Sequence, residues 1–259
     1  MTISNDDLNA CAGLVQRGDP DRFLAAMAAP PGARRALFPL FAMNVEVSRA
    51  PWVTQEAMIA EMRLQWWRDA LEEIATGGPV RRHEVVTPLG AVMTPELAAE
   101  MDEHIAVRRW DIYRDPFEDA AHFDRYIDQS AGSLLWAAAR MLGAAEERVV
   151  RDFGFATGLA NWLRAVPELE ARGRIPLLDG RPEAVRALAE RGLDHLSRAR
   201  AARGTISREA RPALLSGWQT GVILRQAQKE PARVAQGTLG QSEARKRLTL
   251  MARAAAGRW

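Results

Sequence analysis

Cysteine occurs once in the 259 residues, at Cys11, which excludes an internal disulfide and any Cys-rich metal site. Lysine is almost as scarce, with only Lys229 and Lys246. The positive charge therefore sits on arginine, whose planar fork suits bidentate contact with carboxylate or phosphate, although a codon-usage bias gives the same composition and is the favoured reading. A net charge of only +2 leaves no basic excess that would point to nucleic acid, and no nucleic-acid partner is expected. No run of 18 or more apolar residues appears, so no membrane-spanning helix is expected. The start of the chain is acidic and polar, unlike a secretory signal or an Arg-rich transit peptide. A cytoplasmic protein is the expectation. The four histidines, His83, His104, His122 and His195, are scattered without ligand spacing and are expected at the surface or in caps.

What is present is helix-forming pattern. Hydrophobic residues make up 47 % and charged residues 26 % of the chain, enough for a sizeable core under an ordinary charged surface. Caps and breakers divide it. Ser4 or Asn5 opens a first helix and Asp19-Pro20 a second. Further helices are expected over about 33–48, 54–76, 95–110, 120–142 (bent near Gly132), 146–170, 181–203, 207–228 and 241–256. The stretch His83–Met93 has some strand propensity but no partner, and reads as a short helix. Alternating strand and helix signals are missing. The pattern predicts an all-α chain, one domain over residues 1–259 of roughly ten helices around a buried centre. Gly154–Leu178 organises it: Phe155, Leu159, Trp162, Leu163 and Val166 recur at helical spacing, ahead of a break at Gly173 and Pro176.

Three stretches carry a resemblance. The first is Gly154-x-Ala156-x-x-Leu159-x-Asn161-x-Leu163-Arg164, followed by Arg172-Gly173-Arg174-Ile175. The second is Ala36-Leu37-Phe38-Pro39-Leu40-Phe41-Ala42, and the third Tyr126-x-x-x-Ser130-Ala131-Gly132-Ser133. In order and spacing these resemble the squalene/phytoene synthase family. The resemblance implies an isoprenoid-synthase-like helical bundle. Active members condense two prenyl diphosphates in its central cavity, where facing Asp-rich helices hold Mg²⁺ ions against the leaving diphosphate. At the positions of the first Asp motif this chain carries Ser48, Arg49 and Trp52, and at those of the second, Ala165 and Leu169. None of these supplies the carboxylate that the chemistry requires. Asn44-Val45-Glu46 and Arg63-Leu64-Gln65-Trp66-Trp67-Arg68 look like a non-enzymatic branch of the family that includes a mitochondrial complex I assembly factor.

That resemblance implies a non-catalytic binding or assembly role, with no cofactor. Its expected partner is a respiratory-complex subunit or an isoprenoid or lipid ligand. The alternative is a prenyl-diphosphate transferase that holds Mg²⁺ through atypical ligands such as Glu46 and Glu168. Asn44, Glu46, Arg49, Gln65, Arg68, Asn161 and Arg164 are polar groups on otherwise apolar helices. They are candidates for the lining of a residual cavity, or else form hydrogen bonds and ion pairs between helices. Asp111, Asp115 and Asp119, and Asp124 with Asp128, recur every four residues, as a relocated metal site or as a solvated face. Of the adjacent Trp66 and Trp67, one ring is expected inward and one near the surface. The basic segment Ser242–Arg258 either meets an anionic membrane surface or docks through Leu248, Leu250 and Met251.

Overall fold

The computed structural model describes residues 3–259, in which helices follow one another with no strand among the described residues. They are α1 (Asn5–Gly18), α2 (Pro20–Ala28), α3 (Pro31–Arg49), α4 (Ala57–Ala75), α5 (Val86–Gly90), α6 (Pro95–Glu100), α7 (Asp102–Ala106) and α8 (Ala120–Ile127). Then come α9 (Ser133–Leu142), α10 (Glu147–Ala171), α11 (Pro182–Ala201), α12 (Arg211–Leu214), α13 (Thr220–Lys229), α14 (Ala232–Ala235) and α15 (Glu243–Ala255). The first two starts are capped by the residues the pattern names. Ser4 Oγ accepts from the Asp7 amide at 3.0 Å and Asp19 from that of Arg22 at 2.9 Å.

The expected helix over 95–110 is three pieces: α6, α7 and a 3₁₀ turn at Val107–Asp111. Leu97, Met101 and Ile105 are all buried, and their four-residue spacing runs unbroken through the breaks, so periodicity alone shows one helix. The expected helix over 207–228 also divides, with a 3₁₀ turn at Leu215–Gly217 between α12 and α13. Here packing decides. A Cβ on Gly217 would stand 2.5 Å from Thr157 Oγ1 and 2.6 Å from the Phe153 ring, so only glycine fits at this turn.

The bend near Gly132 is a widened π turn, Asp128–Gly132, joining α8 to α9. It lies against α10, where a Cβ on Gly154 would sit 2.7 Å from the Gly132 Cα. Two glycines thus bring the backbones of α10 and the continuous, π-widened α8–α9 helix into direct contact. α10 is the central element, packed by α9, α11 and α13. It buries Val150, Phe153, Phe155, Leu159, Leu163 and Val166, each large side chain contributing about 1.5–3 kcal/mol.

Candidate functional site

One long face of α10 is left partly uncovered and walls a cavity of about 690 Å³. Thr157, Asn161, Ala165 and Leu169 form a ridge at four-residue spacing along that face. Asn44 and Ser48 form a matching ridge on α3, continued by Trp52 in the 3₁₀ turn Ala50–Trp52. The start of α2, the turn at Val107–Asp111, Tyr126 of α8, Gln219, and Glu243 with Lys246 of α15 complete the wall.

Four carboxylates line the cavity, and each is held by a cation of the protein. Asp19 meets Arg22 at 2.6 Å, and Glu243 meets Lys246 at 2.9 Å. Asp21 is a hub: Arg164 donates to it at 3.0 Å, Gln219 at 2.7 Å and Lys246 at 3.5 Å. It thereby ties α2 to α10, to the residue that precedes α13 and to α15. Asp111 is buried; it accepts from the Tyr126 hydroxyl at 2.8 Å, and Arg108 donates to both Tyr126 (3.0 Å) and Asp111 (3.4 Å). Burial pushes the Asp111 carboxyl above the usual range, while the Arg108 charge and the Tyr126 bond oppose that rise. Asn44 Oδ1 and Gln219 Oε1 are buried without a hydrogen-bond partner.

Trp52 is clasped by the turn after α10. The Arg172 and Arg174 guanidiniums lie 4.8 and 5.1 Å from its ring centroid. Gly173 between them takes φ +74°, a conformation glycine adopts without strain, so both arginines can point at one ring. Arg174 is buried and donates to the backbone carbonyl of Asp111, while burial lowers its pKa. Below the clasp, Trp162 closes an aromatic wall with Tyr126 (5.1 Å) and Trp110 (5.6 Å), and donates to the Pro176 carbonyl at 2.9 Å.

Of the seven polar residues singled out from sequence, Asn44, Arg49, Asn161 and Arg164 line the cavity. Glu46, Gln65 and Arg68 lie outside that lining. Glu46 is turned away on α3 toward Arg49 (3.9 Å) and Arg63 (4.0 Å). Gln65 donates to Asp69 along the exposed side of α4, and Arg68 makes a bidentate pair with Asp102. Glu168, the other alternative ligand, also lies outside and pairs with Arg172 at 2.6 Å on the surface. Ser48, Arg49, Trp52, Ala165 and Leu169 all line the cavity.

The histidines differ from expectation at one position. His104 is fully buried, its Nδ1 3.2 Å from the Gln129 carbonyl and its Nε2 without a partner; α7 is too short to show an apolar stripe that would mark it as inward. His83 and His122 accept from nearby backbone amides, and His195 pairs with Asp152 at 2.6 Å. Asp124 is paired with Arg191 and Asp128 with Arg151, while Asp119 caps α8. No group of three or more His, Cys, Asp or Glu among the described residues is placed to hold a metal ion. Trp67 is buried and Trp66 half-buried under Arg81, 4.8 Å from its ring.

Sequence reasoning missed Asp21, the Asp111–Tyr126–Arg108 cluster and the clasp on Trp52. Asp21 reads as an ordinary first-turn acid beside its capping Asp19, and its partners lie 143 to 225 residues away. Tyr126 and Arg174 were visible only as parts of motifs.

These helices and their cavity define an isoprenoid-synthase-like fold. The sequence matches the family model described as squalene/phytoene synthase over residues 15–177, and the chain belongs to that family. A dehydrosqualene synthase crystal structure superposes with a TM-score of 0.76, at 15 % identity, over 96 % of this chain and 95 % of that one. A squalene synthase from Alicyclobacillus acidocaldarius gives 0.71 at 14 % identity, over 91 % and 95 % of the two chains. Among curated proteins, the homolog of NADH dehydrogenase (ubiquinone) complex I assembly factor 6 from Drosophila melanogaster is 28 % identical over 177 residues, 65 % of this chain and 53 % of its own length. The Homo sapiens assembly factor 6 is 24 % identical over 178 residues, 64 % of this chain and 51 % of its own length. The chain thus spans about half the length of the curated relatives it matches.

Proposed function

We propose that this protein is a non-catalytic member of the squalene/phytoene synthase family that serves as a binding or assembly protein for respiratory complex I. The observation that carries this reading is the donor set of the cavity. Ionisation of a prenyl diphosphate needs several carboxylate oxygens free to hold Mg²⁺. Here Asp19, Asp21, Asp111 and Glu243 are each taken up by Arg, Lys or Tyr. Ser48, Arg49, Trp52, Ala165 and Leu169 stand where the resemblance implies the Asp motifs, and Arg172 and Arg174 clasp Trp52. That donor set does not fit a Mg²⁺–diphosphate cluster. The curated relatives, named as complex I assembly factors, support the class of partner.

A bound apolar ligand is a second reading, favoured by Leu24, Val45, Ile127 and Leu169 in the cavity wall; lipid carried through purification would reveal it. No helix among the described residues is long and apolar enough to cross a membrane. Leu248 and Met251, 66 % and 68 % exposed on α15, support contact with a membrane surface from one side.

Deleting the gene in its own host tests the proposal. Loss of NADH:ubiquinone oxidoreductase activity, with partly assembled complex accumulating and the whole chain restoring it, is expected. Intact complex I together with a missing C30 or C40 isoprenoid would overturn the reading.

A further inference from the structure

A second concavity of about 1070 Å³ lies between the end of α11 and α15, apart from the central cavity. Arg200, Arg203, Arg211, Arg253 and Arg258 line it with Leu248, Thr249 and Trp259, and no Asp or Glu does. Elsewhere on this molecule arginines are placed against carboxylates, as at Asp21, Asp102, Asp124 and Asp152. Here Arg200 and Arg253 lie close enough for the charge of Arg253 to act on Arg200. Arg200 Nε donates to the Trp259 carbonyl at 3.2 Å and Arg211 Nε to that of Ile206 at 3.3 Å. Each guanidinium is thereby anchored by one edge, which leaves the terminal nitrogens to the groove.

Two of these guanidiniums, Arg200 and Arg253, have their charged form disfavoured. Burial, followed by the charges of Arg253 and Arg225, lowers the Arg200 pKa to about 10. Burial and Arg225 likewise lower that of Arg253. Partly desolvated like charges held together are destabilising unless an anion joins them. Arginine forks match the tetrahedral oxygens of phosphate by paired, charge-assisted hydrogen bonds. The groove is also far larger than one phosphate group, and Leu248 gives it an apolar edge.

We infer that the groove between α11 and α15 is a binding site for a phosphate-bearing anion, gripped by Arg200, Arg253 and Arg258. That chemistry has two sources, a free polyphosphate or the headgroup of an anionic lipid. The inference is independent of the reading of the central cavity.

The test uses the full chain without divalent metal and two probes: inorganic pyrophosphate by titration calorimetry, and phosphatidylglycerol vesicles by flotation, with phosphatidylcholine vesicles as reference. Binding to pyrophosphate assigns a free anion, and binding to phosphatidylglycerol vesicles alone assigns the headgroup. The paired variant Arg200→Gln with Arg253→Gln should bind more than about tenfold more weakly, from the loss of charge-assisted hydrogen bonds. The same variant, free of ligand, should unfold at a temperature no lower than the parent, because it relieves repulsion. Arg258→Gln alters an exposed side chain that cannot unfold the protein, and should weaken binding by itself. The surface variant Arg181→Gln, outside both cavities and paired only with Asp179, should bind as the parent does. Failure of both probes to bind, or retention of full affinity by the Arg200/Arg253 and Arg258 variants, overturns the inference.

Discussion

The Arg174 guanidinium lies over the Trp52 ring at 5.1 Å from its centroid while its far nitrogen holds the Asp111 backbone carbonyl. One side chain therefore links the turn after α10 to the end of α3 and to the turn before α8. Trp52→Ala should lower stability by about 1–3 kcal/mol, combining two cation–π contacts with lost ring burial. Arg174→Lys should cost a similar amount, because an ammonium cannot stack and reach the carbonyl together. Urea unfolding of both variants checks this; an unchanged midpoint would mean that the clasp contributes nothing.

Helix contact through Gly154 gives a sharper contrast. Gly154→Ala places a methyl 2.7 Å from the Gly132 backbone, where no side chain can yield. The expected loss is about 1–3 kcal/mol or more from overpacking. Gly32→Ala, with nothing within 4 Å of the new carbon, should be neutral or slightly stabilising. Equal effects at the two positions, measured by thermal unfolding, would contradict the packing described here.

Burial first and the Arg108 charge second hold the His104 imidazole neutral, with its pKa lowered from 6.5 to about 3. Between those values the unfolded chain binds the extra proton and the native chain does not. Stability from this residue is therefore fully present above about pH 6.5 and falls as pH drops toward 3. His104→Gln can keep the bond to the Gln129 carbonyl and should flatten that acid limb by about 3 kcal/mol at pH 4. Parallel pH–stability curves for parent and variant would show that His104 is protonated in the native state.

Cys11 is fully buried, with Sγ 3.4 Å from the Glu84 carbonyl, and burial together with Asp7 raises its pKa to about 12. A thiol so far from thiolate reacts slowly. Maleimide should label the native protein only through unfolding, at a rate that rises with urea. Immediate stoichiometric labelling at pH 7 would contradict this burial of α1.

The helical architecture was legible because cap residues and four-residue apolar spacing are local properties. α10 stands out through Phe155, Leu159 and Leu163, and α2 through Asp19-Pro20. Local pattern failed where helices break without losing periodicity, as between Leu97, Met101 and Ile105, or where the break falls beside a distant contact, as at Gly217 against Phe153. The cavity was half legible. Asn44, Asn161 and Arg164 were recognisable as polar groups on apolar helices, but Glu46, Gln65 and Arg68 have the same local signature and face elsewhere. Pairings such as Asp21 with Arg164 and Lys246 join segments so far apart in the chain that no spacing rule connects them.

Thermal unfolding with and without Mg²⁺ plus a non-hydrolysable farnesyl diphosphate analogue bears most directly on the proposed non-catalytic role. A ligand at 100 times its Kd stabilises the native state by about 2.7 kcal/mol, a shift of a few degrees for a chain of this size. The account predicts no Mg²⁺-dependent shift, because the cavity carboxylates are already bound to arginine, lysine and tyrosine. A shift that requires Mg²⁺, and that Asp21→Asn or Asp111→Asn abolishes, would contradict it.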